Sequence, residues 1–327
     1  MNNFKKIGLT ALAASLVSVS SHAGELTASG SASITAEGYS GPLMAAGTAF
    51  SMADSVVLSG SSELDNGLTV SMSFELDASA ADVTGSYDDH SVSISSDTLG
   101  TVKFSANGGS SAVSAIDATA AGDIFDNFDG KVGTAETATT AGDAAMLTSA
   151  GGANSFLYTL PEMVEGLTVH ASYNPQGAQA ESSTAMSLVY AGIDGLSVSY
   201  GVGSNDGSAG TAFNADVTTM KASYAYGPVT VAYSDHSYDS ATATRDQDTT
   251  SYSVAYTVTD GISVSYGVET IDSGEKAIDA EYSQVSVAYT SGGMTITAKT
   301  QEAENISYTS TASEDLEYWG LTLAFAF

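Results

Sequence analysis

Cysteine is absent from all 327 residues, so neither a disulfide framework nor a thiolate metal site can be built. Proline is scarce at 4 residues, and there is one tryptophan. Positive charge is short as well: Lys and Arg number 8 against 38 Asp and Glu, for a formal charge of −30. A chain this acidic lacks the positive footprint that nucleic acid requires, and it attracts cations instead. No apolar run of membrane-helix length occurs after the first two dozen residues. Disorder is excluded too, because only 14% of residues are charged and the apolar ones recur at regular spacing.

The exception at the start is MNNFKKIGLTALAASLVSVSSHAG. Lys5 and Lys6 form a basic head, Ile7 to Val19 an apolar core, and Ser21-His22-Ala23 a small-x-small cleavage site. Residues 1–23 therefore read as a secretory signal and 24–327 as the exported chain. The apolar core is too short for a helical anchor, which needs about 20 residues.

Beyond the leader the chain alternates. From Leu26 the even positions read Leu26, Ala28, Gly30, Ala32, Ile34, Ala36, and the odd ones Thr27, Ser29, Ser31, Ser33, Thr35, Glu37. GLTVSMSFELD repeats the pattern with Leu68, Val70, Met72, Phe74 and Leu76 on one side. GLSVSYGV (195–202) and GISVSYGV (261–268) are near copies. Period two means strands with one apolar and one polar face.

Short glycine-bearing breaks pair these strands into hairpins: DNG, DTLG, EMVEG, GIDG, YGP, TDG and SGG. Their glycines, Gly67, Gly100, Gly166, Gly195, Gly227, Gly261 and Gly292, recur about every 32 residues, with one interval doubled by an insertion between Gly109 and Asn154. Seven hairpins plus a strand at each end predict an all-β fold, a 16-stranded antiparallel transmembrane β-barrel. Polar segments 79–88, 203–212, 235–248, 269–277 and 302–312 fall where the outer loops belong.

The terminal stretch EDLEYWGLTLAFAF fits this reading. A barrel in lipid leaves no edge, so its first and last strands must meet. That places Trp319, Leu321, Leu323, Phe325 and Phe327 toward lipid, and Gly320, Thr322, Ala324 and Ala326 inward. Tyr190, Tyr226, Tyr256 and Tyr289, just before tight turns, suit an interfacial girdle, while Tyr200, Tyr233 and Tyr266 sit farther along their strands. A soluble β-sandwich or acidic surface-layer protein would also alternate, but it would not require sixteen strands or an apolar last strand.

ELTASGSASITAEGY, SSELDNGLTVSMSFELD, YTLPEMVEGLTVHASYNP and the final LTLAFAF, in this order, resemble the general diffusion porins of Gram-negative outer membranes, particularly the alphaproteobacterial type. The resemblance implies a homotrimer in outer-membrane lipid. It implies that the barrel-assembly machinery reads Phe327, with Phe325, as its signal. It also implies a long third loop folded into the lumen, which places a constriction loop at 109–153.

That insertion carries Asp117, Asp123, Asp126, Asp129, Glu136 and Asp143 against one basic residue, Lys131. In similar porins such a loop faces arginines on the wall. Here the exported chain has a single arginine, Arg245, in an outer-loop segment, and the inward-facing lysines by parity are Lys103, Lys221 and Lys299. The usual basic ladder is thus missing, and Lys103, on the strand entering the insertion, is its one expected remnant near the constriction, so the transverse field should be weak. A lumen of one sign favours counter-ions, so the expectation is a passive pore for small hydrophilic solutes and ions, selective for cations. The filter is expected at Asp123, Asp126 and Asp129, with Phe125 and Phe128 anchoring the loop to the wall.

Other chemistry finds little support. After the leader the histidines are His90, His170 and His236, without metal spacing or a nucleophile elbow, so no enzyme and no cofactor are expected. The run Tyr233 to Asp248 offers hard-cation ligands but no calcium-loop spacing, which leaves weak divalent-cation screening. A substrate-specific channel would need an aromatic or charged track along the lumen.

Overall fold

A computed structural model describes residues 15–16, 26–41, 47–77, 88–114, 116, 118–128, 146–147, 151–177, 181–205, 214–242, 245–274, 276–306, 308 and 315–327. Sixteen strands form the wall: β1 (Leu26–Ser40), β2 (Ala49–Glu63), β3 (Thr69–Asp77), β4 (His90–Ser96), β5 (Gly100–Asn107), β6 (Ser155–Thr159), β7 (Leu167–Gly177) and β8 (Glu181–Tyr190) in the first half. The second half comprises β9 (Leu196–Asn205), β10 (Ala215–Tyr226), β11 (Val229–Ser240), β12 (Gln247–Thr259), β13 (Ile262–Ser273), β14 (Ala280–Ser291), β15 (Met294–Glu304) and β16 (Leu316–Ala326). A two-residue strand, Ser15–Leu16, pairs with Ala28 and Thr27 of β1 and lies outside the closed ring of sixteen. A 3-10 turn spans Ile124–Asn127.

Every wall strand pairs antiparallel with its chain neighbours, and β16 pairs back onto β1 from Glu317↔Ser40 to Ala326↔Ser31. The sheet is thereby closed, and its strands find their backbone partners without water, as a membrane demands. The seven predicted turns are the seven short connections. Gly67, Gly100, Gly166, Gly195, Gly227 and Gly292 have φ between 57° and 80°, the left-handed region where an L side chain is strained.

Strand alternation sorts the two faces. Met220, Val231, Val254, Val285, Val287 and Leu321 are exposed on the outward face, while Thr219, Ser234, Ser251 and Gln301 of opposite parity are buried. Tyr226, Tyr256 and Tyr289 are exposed at the turn end of the outward face. Tyr200, Tyr233, Tyr252 and Tyr266 are exposed on the same face. On β11 and β12, Tyr233 and Tyr252 lie where apolar side chains give way to Asp235 and Asp248, while on β13 Val268 still follows Tyr266 before Asp272. The Tyr233 hydroxyl donates to Asp235 Oδ2 at 3.3 Å. Tyr233 and Tyr252, paired across β11 and β12, therefore mark the far edge of the apolar band.

The strands outrun the predicted loop boundaries. β11 continues to Ser240, β12 begins at Gln247 and β13 reaches Ser273. The apolar face ends where lipid ends, but Ser and Asp continue to pair beyond it, and a hydropathy pattern does not register that extension.

At the seam, Phe327 N–H donates to Gly30 O at 2.9 Å and Gly30 N–H to Phe327 O at 2.8 Å. A Cβ on Gly30 would come within 2.5 Å of the Phe327 ring, and one on Gly38 within 2.6 Å of the Trp319 indole. The two aromatic rings cover these bare backbone positions of β1, a means of sealing glycine in a sheet.

Candidate functional site

The described parts of the long connection between β5 and β6 pack on the face of the wall opposite the exposed apolar one. Its neck is closed by Gly152 N–H donating to Gly109 O at 2.6 Å. From there its peptide groups are taken up one strand after another. Ala112 N–H donates to Ser172 Oγ of β7 at 2.8 Å, and Ser187 Oγ of β8 donates to Ala112 O at 2.6 Å. Lys221 Nζ of β10 donates to the carbonyls of Ala118 at 2.7 Å and Thr119 at 3.2 Å. Ala120 N–H reaches Ser234 Oγ of β11 at 2.8 Å, Ser253 Oγ of β12 donates to Ala120 O at 2.8 Å, and Ala121 N–H reaches Ser251 Oγ at 3.0 Å. Finally, the Tyr39 hydroxyl of β1 donates to Asn127 O at 2.7 Å. An irregular segment buried against a wall must place its peptide groups somewhere, and inward serines spaced by the strand period meet that need.

The returning arm is held likewise. Leu147 N–H donates to Gln247 Oε1 at 2.6 Å. His236 Nε2 lies 2.7 Å from Leu147 O, and its Nδ1 lies 2.7 Å from Thr219 Oγ1. The carbonyl can only accept, so Nε2 carries the proton and Nδ1 accepts from the threonine hydroxyl.

Apolar contacts complete the docking. Ile124, Phe125, Phe128 and Met146 are buried with Ile271, Tyr282, Leu316 and Tyr318 of the wall. The Phe128 ring centroid lies 5.8 Å from that of Tyr282 and 6.4 Å from that of Tyr39. Ala112, Val113 and Leu147 are buried with Val217 and Tyr238. Each fully buried Phe or Ile contributes about 1.5–3 kcal/mol, so Phe125 and Phe128 serve as anchors of the loop.

The predicted site residues part company here. Asp126 is exposed, and its charge together with that of Glu37 acts on Lys299. Lys299 Nζ also lies 5.2 Å above the centre of the Tyr318 ring, and the Tyr318 hydroxyl donates to Glu37 Oε2 at 3.0 Å. Asp123 is turned to internal use: its Oδ1 accepts Thr119 N–H at 2.8 Å. Asp117, Asp129 and Lys131, with Glu136 and Asp143, lie outside the described residues.

Lys103 lines a cavity of about 170 Å³ with Glu75, Asp89, Ser91 and Asn107. Burial first, then Asp88 and Glu75, push the Asp89 carboxyl above the usual carboxylate range, while Lys103 pulls the other way. Lys103 thus sits beside wall and rim acids. β3 and β4 pair to bring Glu75 and Asp89 to its level. Next to this cavity lies one of about 310 Å³ lined by Thr27, Ser59, Ser61, Ser71, Ser73, Ser91 and Ser93, a hydroxyl wall on β1–β4.

Glu37, Glu269, Tyr39 and Tyr318 were not singled out by sequence reasoning. The available signal was parity: each is a large polar side chain at an inward position of a strand whose other inward residues are mostly small. Among the described residues no group of three or more His, Asp or Glu could hold a metal ion.

A family model described as Gram-negative porin matches residues 8–305. Among solved structures, one described as "Asymmetric conductivity of engineered proteins" aligns with a TM-score of 0.66 at 14% identity, over 93% of this chain and 100% of its own. A multiply substituted Rhodopseudomonas blastica porin aligns at 0.65 with 14% identity, over 92% of this chain and 100% of its own. A triple mutant of the same porin aligns at 0.64 with the same identity and coverage. Among curated proteins there is no match to this sequence.

Proposed function

The chain belongs to the Gram-negative porin family, and from that premise we propose that it is a cation-preferring pore whose filter is an acidic loop facing a wall of hydroxyls. It is an outer-membrane diffusion channel and not an enzyme. The selectivity is our reading, and the observation that carries it is the placement of the inward lysines. Lys221 is bonded to loop carbonyls, Lys299 lies among Glu37, Asp126 and the Tyr318 ring, and Lys103 stands beside Glu75 and Asp89. The one arginine, Arg245, lies between β11 and β12 at the rim. Without a basic cluster facing the loop, the transverse field is weak and the net lumen charge is negative, which draws cations in.

The loop narrows the lumen by covering the wall from β7 round through β16 to β1, and solutes pass along the bare side. That side presents serine and threonine hydroxyls, each both donor and acceptor, which suits small hydrophilic solutes of no particular shape. The described inward positions of β2–β5 include no aromatic residue, which argues against a channel specific for one nutrient. We further propose a homotrimer in outer-membrane lipid, inserted by barrel-assembly machinery that reads Phe327 and Phe325.

Reversal potential in a planar bilayer under a KCl gradient tests the selectivity. A cation-selective conductance appearing in steps of three is expected. Anion selectivity would overturn the reading of lumen charge.

A further inference from the structure

Glu269 sits on the inward face of β13 with no exposure to solvent. A carboxyl group withdrawn from water must find hydrogen-bond partners, and both of its oxygens find them in the loop. Thr119 Oγ1 donates to Oε1, and Phe125 N–H donates to Oε2 at 3.2 Å. Thr119 Oγ1 also accepts from Gly122 N–H at 3.1 Å and Asp123 N–H at 2.8 Å. Glu269 therefore grips a turn already closed on itself by Thr119 and Asp123.

The same strand makes room for that turn. A Cβ on Gly267 would lie 2.6 Å from the Cβ of Ala121, and Ile271 packs in the cluster that holds Ile124. Alternate inward positions of β13 thus supply space, a hook and an apolar contact. Between the two polar fastenings of this segment, Glu269 on Phe125 and Tyr39 on Asn127, lies the exposed Asp126.

We infer that Glu269 is a positioning residue for ion selectivity: without lining the ion path, it fixes the loop so that the Asp126 carboxylate stands over the lumen beside Lys299 and Glu37. This rests on the cation-filter reading above.

The experiment uses the full barrel in planar bilayers, with a spin label on Ala118→Cys to follow the loop; the chain has no cysteine of its own. Asp126→Asn should lower the K⁺/Cl⁻ permeability ratio about threefold, the scale of one charge acting over several ångströms of water. Glu269→Ala should lower it by a similar factor, free the label, and leave heat-modifiable migration intact. Adding Asp126→Asn to Glu269→Ala should change little more. In Glu269→Gln the amide NH₂ must face either the Thr119 hydroxyl, which already accepts two N–H groups, or Phe125 N–H, so an intermediate effect is expected.

Should Glu269→Ala fail to fold, Thr119→Val removes one of the donors from the loop side and leaves the wall untouched, with the same expected direction. If Asp126→Asn lowers the ratio and Glu269→Ala or Thr119→Val changes neither ratio nor label mobility, the filter stands and the positioning role is overturned. If Asp126→Asn leaves the ratio unchanged, the filter reading falls and the positioning role falls with it.

Discussion

Serine lines both halves of the inner wall, with opposite consequences. On β7–β12, Ser172, Ser187, Ser234, Ser251 and Ser253 are bonded to peptide groups of the loop. On β2–β4, Ser59, Ser61, Ser71, Ser73, Ser91 and Ser93 border an open cavity of about 310 Å³. One half of the wall is a mould for a segment of the same chain, and the other is a surface for solvent and solute. The residue type is the same, and coverage alone separates structural serines from permeation-path serines.

The sharpest way to break this comparison is to remove hydroxyls from each half in turn. Ser234→Ala, Ser251→Ala and Ser253→Ala together should cost about 1 kcal/mol each through peptide groups left unpaired, read as a lower urea midpoint for loop release. The matched set Ser71→Ala, Ser73→Ala and Ser91→Ala should leave that midpoint within about 0.5 kcal/mol. Equal losses in both sets would abolish the distinction.

Next in size is the bare wall itself. Ser71→Val with Ser73→Val should slow polyol entry in liposome swelling by roughly twofold while KCl selectivity holds, since only neutral hydrogen-bonding groups are lost. A change in reversal potential with unchanged swelling would contradict it.

The lysines of the two halves should differ in a smaller way. Lys221→Gln removes the two ammonium hydrogen bonds to the carbonyls of Ala118 and Thr119 and should loosen the loop, as a rise in open-channel noise. Lys103→Gln leaves Glu75 and Asp89 uncompensated and should raise cation preference by less than about twofold, with quiet currents. Identical behaviour of the two variants would show that coverage does not govern them.

The smallest effect concerns pH. The Asp89 carboxyl is held above its usual range by burial, Asp88 and Glu75, so on acidification it loses its charge earlier than an ordinary carboxylate. Cation preference should begin to fall above the usual carboxylate range, and in Asp89→Asn that early part of the titration should vanish. Reversal potential measured against pH checks this. The stability linkage has the matching sign: an acid with a raised folded value gains stability as pH falls through that value.

The sheet was legible because its rules are local. Period two assigned Leu321 and Phe325 outward and Thr322 and Ala324 inward, and glycines such as Gly67 and Gly195 located hairpins from a few residues each. The loop's attachments were not legible in this way. Thr119 and Glu269 are 150 residues apart in sequence, and neither spacing nor hydropathy links them. Asp123 and Asp126 look alike in DIFDNF, yet one closes a turn and the other is exposed. Whether a carboxylate caps a backbone amide depends on the left-handed conformation of Asp123, φ 54°, which hydropathy does not encode. Lys103 likewise acquires its neighbours from β3 and β4.

The bonds between Gly30 and Phe327 carry one more implication. They set the two ends of the wall side by side at the end that carries the tight turns, already spaced as hairpin partners. A short link there, with a new opening cut at the turn around Gly227, would leave every rung of the ladder in place except those of the opened turn. Such a circular permutant would enter the membrane with β11 first and β10 last. The folded object is a ring of hairpins, and the point at which the gene begins to read it is a matter of manufacture.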